Sequence, residues 1–244
     1  MAGKQRWDAK RAREVLPKIL LMLVWVFASV VASQFIVGYL MLWILGPERL
    51  SEAVWMAVLS AISYSIAIVL VLFLPQKTKL ITRTNRTELG LKGLPTWTDI
   101  GLAPVGFIAY MLIASGLVAL FELFPWFDAK EAQDLGFSVL MLGMDRVVAF
   151  VTLVIIAPVA EELIFRGWLY GKMRESLGVW LSILLVSALF GLVHFQWNVG
   201  VNVFAMSIVL CGLREITGTI YAVTLLHILK NGVAFYLLFV VGLL

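Results

Sequence analysis

Cysteine occurs once, at Cys211, so no disulfide can form within the chain. Histidine is nearly as scarce, with only His194 and His227. The shortage of charge excludes more. Charged residues make up 14% of the 244 and apolar residues 62%, against roughly 25% and 45–50% in soluble domains. Such a chain lacks the polar side chains to cover a water-soluble core, and the composition is that of an all-α, polytopic membrane protein. No internal repeat, low-complexity segment or second domain stands out.

Charge-free runs locate the spans. Ile19 to Pro47, Ala53 to Leu74 and Ile100 to Phe121 carry no charged residue, and each covers the ~20 residues a helix needs to cross the hydrocarbon core. A fourth span starts near Val147. The charge-free stretch Ser176 to Leu213 is too long for one crossing. "QWNVGVN", Gln196 to Asn202, interrupts it with turn formers and predicts two short spans, the second of them the weaker. A last span runs from about Gly218 to the C-terminus. The expectation is seven crossings, arranged as a basic N-terminal segment (1–18), an N-terminal group of helices with one long loop (19–146) and a C-terminal core (147–244).

Basic residues alternate from loop to loop. Lys4, Arg6, Lys10, Arg11, Arg13 and Lys18 precede the first span, Lys77, Lys79, Arg83, Arg86 and Lys92 fill the second loop, and Lys172 and Arg174 close the fourth span. The first and third loops offer only Arg49 and Lys130, apart from Arg146 at the head of span four. The pattern predicts an N-terminus in the cytoplasm. The basic balance follows from this bias, so no nucleic-acid partner is expected. The first apolar run is far longer than the ~7–15 residues of a signal peptide's apolar region and lacks a convincing small-x-small exit, so no cleaved leader is expected.

Ionisable groups are costly inside a bilayer, ~2.5–3.5 kcal/mol at the centre of a helix, and those present face protein or water. The short list is Glu161, Glu162, Arg166, His194, His227, Lys230 and Asn231. Glu162 and Arg166 are four apart, in the acid-before-base order that pairs on one helix face. Glu161 is turned by about 100° and is left available. A turn at Leu177–Gly178 would set Glu161 and His194 each about 16 residues, roughly 24 Å of helix, from the hairpin end. His227 would lie about 13 Å into the last span. The residues would then converge on one cavity, placed nearer the cytoplasmic face by counting from Arg166.

Two carboxylates, two imidazoles and an amide in a dry pocket suit hydrolysis of an acyl bond, a carboxylate taking the proton of water and N–H donors facing the oxyanion. Zinc is the competing chemistry, with Glu161 or Glu162, His194 and His227 as ligands. There is no H-E-x-x-H pair, and the first glutamate is needed as a base, so no metal or other cofactor is expected. A non-hydrolytic membrane scaffold or immunity protein, or a proton-coupled transporter, would also use buried Glu and His. The transporter reading lacks inverted repeats. Phe190 reads as packing, and tryptophans such as Trp43, Trp97, Trp126 and Trp197 as interfacial belts.

The ordered motifs E-E-x-x-x-R ("EELIFR"), F-x-x-x-H ("FGLVH") and H-x-x-x-N ("HILKN") resemble those of the CAAX-protease and bacteriocin-processing family of intramembrane endopeptidases, also called the Abi family. The similarity spans roughly Val147 to Leu238. It implies a glutamate-type membrane endopeptidase acting near the cytoplasmic side, in which Glu161 is the general base and His194 helps to position water. His227 and Asn231 would form the oxyanion hole, and Glu162 with Arg166 would brace the site. The implied partners are the bilayer and a membrane-associated peptide or protein. Peptide or bacteriocin processing, or self-immunity, in a bacterial plasma membrane is the expected setting. The family commonly has eight membrane segments, one more than the seven read here.

Overall fold

A computed structural model describes residues 9–50, 52–75, 84–131 and 142–242. Lys4, Arg6, Lys77, Lys79 and Arg83 lie outside the described residues, and so does the side chain of Arg11. The regular elements among the described residues are all helices: α1 (Ala9–Leu50), α2 (Ala53–Leu72), α3 (Trp97–Phe121), α4 (Met144–Ser176), α5 (Val179–Leu192), α6 (Trp197–Thr217) and α7 (Tyr221–Val241). Six are long and apolar enough to cross a membrane, and α5 is the shorter one.

Side chains are distributed as a bilayer demands. Phe35, Trp43, Ile44, Leu112 and Trp180 stand exposed on the outside, whereas Glu162, Arg166, Ser182, Ser187, Ser207 and His227 are buried. In lipid the outer faces need no polar cover, and polar groups find partners only inside the bundle. The charged segment Lys10 to Lys18 continues into the apolar span as one helix. That helix breaks at Gly46, whose φ of 77° belongs to the left-handed region open to glycine.

α3 packs against α6 and α7, α5 against α6, and α2 against α1 and α4. A capping box starts α3: the Thr96 side chain accepts from the Asp99 backbone N–H (3.3 Å), and Asp99 Oδ2 accepts from the Thr96 N–H (2.8 Å). Asp99 Oδ1 also accepts from the Thr219 hydroxyl at 3.2 Å, tying the head of α3 to the α6–α7 turn.

The described part of the second loop is strapped across the same end of the bundle. Leu89 is buried, Lys172 Nζ donates to Glu88 Oε2 (3.0 Å), Arg214 Nη2 donates to the Glu88 carbonyl (2.9 Å) and the Tyr221 hydroxyl donates to the Gly93 carbonyl (2.9 Å). The second loop, the end of α4 and the α6–α7 turn therefore share one face, as the alternation of basic residues required. On the opposite face the amides of Gln196 and Asn198 donate to the Glu131 carbonyl, and Trp126 meets Trp197 edge-on.

Two expectations change. The turn lies at Leu177–Gly178 as expected, but the break between α5 and α6 falls at Val193–Gln196 and takes in only the first residue of "QWNVGVN". The supposed turn formers belong to α6 and serve packing. A Cβ at Gly191 would lie 2.9 Å from the Gly200 carbonyl oxygen, so the two glycines let α5 and α6 approach backbone to backbone. Asn202 accepts from the Tyr110 hydroxyl at 2.7 Å. The sixth helix is thus long and apolar enough for a full crossing, and the fifth is the short one.

Candidate active site

The site is assembled from α4 outward. Around Glu161 and Glu162 the helix is regular over Ala157–Glu162, but on either side it widens into π-helical turns, Val151–Ile156 and Leu163–Tyr170. Such turns lift backbone from its regular register and recur at functional sites.

Glu162 and Arg166 form the pair their spacing predicts, Arg166 Nη1 donating to Glu162 Oε1 at 2.8 Å with both side chains fully buried. The guanidinium also lies 4.3 Å above the Phe190 ring. Phe190 in turn meets Phe165, His194 and His227 edge-on, and so packs the base of the site as its sequence position suggested.

The same Oε1 of Glu162 receives His227 Nδ1 at 2.7 Å. A carboxylate paired with a guanidinium accepts hydrogen bonds, so Nδ1 carries the proton. His227 Nε2 then faces Glu161 Oε2 at 3.8 Å. Beyond α4, His194 sits in the α5–α6 turn just before Phe195, whose φ of 54° is the one positive value at a non-glycine residue among those described. His194 Nδ1 lies 2.7 Å from the Phe190 carbonyl. A carbonyl only accepts, so here too Nδ1 is the donor and Nε2 is left for the cavity. Asn231 donates from Nδ2 to the Leu153 carbonyl at 2.9 Å, which bolts α7 to α4 and leaves its second N–H.

Glu161, His194, His227, Lys230 and Asn231 line one chamber of about 240 Å³ together with Tyr64, Leu153, Ala157 and Phe235. A second chamber, of about 220 Å³, also has Glu161 in its wall and is lined by Gln34, Phe190 and Phe195. All the site residues expected from the sequence are therefore brought together, and Lys230 is a cavity charge and not a lipid-facing one. No hydrogen bond or ion pair engages Lys230 among the described residues.

Two features were not foreseen. The Tyr64 hydroxyl donates to Glu161 Oε1 at 2.6 Å from α2, far from any of the motifs. The only signal in the sequence was a phenol amid serines in the middle of an apolar span. The other is Arg166, whose charge suggests a place near the interface: it is fully buried within the protein, as is Trp168 beyond it. Glu161 sits near the middle of α4, and the first chamber runs along Leu153, Phe235, Leu238 and Phe239, away from the face that carries the second loop.

The imidazole arrangement bears on metal binding. Histidines that ligate metal through one nitrogen usually donate the other to a carbonyl or carboxylate, as His194 and His227 do. Among the described residues, however, no group of three or more His, Cys, Asp or Glu side chains is gathered closely enough to hold an ion.

Residues 143–233 match the Rce1-like family, whose description is type II CAAX prenyl endopeptidase Rce1-like. No curated protein and no solved structure matches the chain.

Proposed function

From the Rce1-like match over residues 143–233, we propose that this membrane protein is an endopeptidase in which Glu161 activates water for attack on a peptide bond. The observation that carries the reading is the unequal use of the two glutamates. Glu162 is spent on Arg166 and His227, while Glu161 keeps Oε2 toward the chamber. A half-buried carboxylate of that kind can take a proton from water, and the two imidazoles lie on the chamber wall to orient it.

As the tetrahedral intermediate forms, its oxyanion needs donors. The free N–H of Asn231 and the ammonium of Lys230 face the same space, and His227 becomes a donor through Nε2 once it accepts the proton relayed by Glu161. That proton then serves the departing amine. The substrate is a membrane-associated peptide or protein segment, and the face bearing the second loop and the end of α4 is cytoplasmic. Peptide processing in a bacterial plasma membrane fits this arrangement.

The test compares membrane peptides from cells carrying the wild-type protein with those carrying Glu161→Ala at equal expression. Uncleaved peptides should accumulate in the variant. Identical peptide profiles would point instead to a non-hydrolytic scaffold or immunity role. Zinc is the competing chemistry, suggested by the ring orientations of the two histidines alone, against a donor set not gathered closely enough to hold an ion among the described residues. Cleavage that persists under chelation removes it, and loss restored by zinc alone establishes it.

A further inference from the structure

The linings of the two chambers share only Tyr64, Glu161 and His194. The two chambers therefore meet at the proposed base. Tyr64 belongs to α2, outside the segment that matches the Rce1-like family. Its hydroxyl is 2.6 Å from Glu161 Oε1, a short charge-assisted contact. Among the described residues no other hydrogen bond holds Glu161: His227 lies 3.8 Å from the other oxygen, and His194 and Lys230 share the chamber wall within electrostatic reach. The side chain is 17% exposed, and without the phenol it could rotate about its terminal bond.

We propose that Tyr64 is the positioning residue of the hydrolysis described above, engaging one oxygen of Glu161 so that the other is presented to water beside His227. The inference rests on that reading for its chemistry. It adds that the reaction depends on an N-terminal helix and that the motif-bearing segment does not contain the whole site. The hydroxyl remains a donor throughout. It neither gains nor loses a proton, so the step is one of orientation, and the proton of water passes to Oε2. Removing the phenol oxygen should lower turnover while leaving substrate capture intact, because ring and helix packing are kept.

The experiment uses the full chain in proteoliposomes with a quenched fluorescent farnesylated peptide ending in a Cys-aliphatic-aliphatic-Ser sequence. Tyr64→Phe should lower kcat about 10- to 100-fold, the range for one hydrogen bond to a charged group, with KM unchanged within a factor of about two. An unchanged kcat, or a loss carried by KM, overturns the proposal. In parallel, the infrared carboxylate band that Glu161→Gln abolishes should shift in Tyr64→Phe, and an unshifted band also overturns it. Were the wild-type chain to cleave neither this peptide nor any membrane peptide in cells, the peptidase reading would fail, and the infrared band alone would decide whether Tyr64 orients Glu161.

Discussion

Glu162 holds His227 and Arg166 on the same carboxylate oxygen, at 2.7 and 2.8 Å. One acceptor thus joins α4 to α7 and fixes the ring that faces Glu161. The adjacent glutamates of the motif divide the labour, one for architecture and one for the chamber.

Glu162→Gln should therefore destabilise the protein while Glu161→Gln should not. Replacing Glu162 leaves a buried guanidinium without its counter-charge, a loss of about 3–5 kcal/mol for a pair of this kind. Thermal unfolding in detergent should show a clear fall for Glu162→Gln and a midpoint near wild type for Glu161→Gln, the latter inactive. Equal stabilities would contradict the division.

Arg166→Lys should fail to substitute. An ammonium can meet Glu162, but it lacks the planar group that covers the Phe190 ring at 4.3 Å. Reduced thermal stability together with weakened cleavage is expected, and wild-type behaviour would show that charge alone suffices.

Asn231→Asp exchanges a donor for an acceptor 2.9 Å from the Leu153 carbonyl. Two acceptors cannot share that contact, so the α4–α7 link should loosen at a cost of about 1–3 kcal/mol. Cleavage should be lost with it. Hydrogen exchange measured along α7 would report the loosening, and protection equal to wild type would refute it.

Gly191→Ala should disturb the turn that carries His194. The added methyl would sit 2.9 Å from the Gly200 carbonyl, on backbone that cannot yield as a side chain would. Overpacking of this kind costs about 1–3 kcal/mol. A matched Gly116→Ala, with nothing within 4 Å of its Cβ, serves as the silent control in the same unfolding assay.

What is legible in the sequence is local or periodic. Four-residue spacing announced the Glu162–Arg166 pair, and equal distance from the Leu177–Gly178 turn brought His194 level with Glu161. Contacts between distant helices left no such trace. Tyr64 and Glu161 are 97 positions apart, and the bond between Glu162 and His227 follows from a ring orientation that no spacing encodes. The charge of Arg166 suggests an exposed position, whereas its ion pair with Glu162 allows it to be buried within the protein. The α5–α6 break was displaced because glycine and asparagine, common in turns, also suit close helix contacts in lipid.

The far wall of the first chamber has a bearing on what can be cut away. Ala234, Phe235, Leu238 and Phe239 line it, and all four follow the last residue of the family match. A truncation at that boundary would keep every lettered motif and still breach the compartment, letting lipid chains into the space where the reaction calls for water.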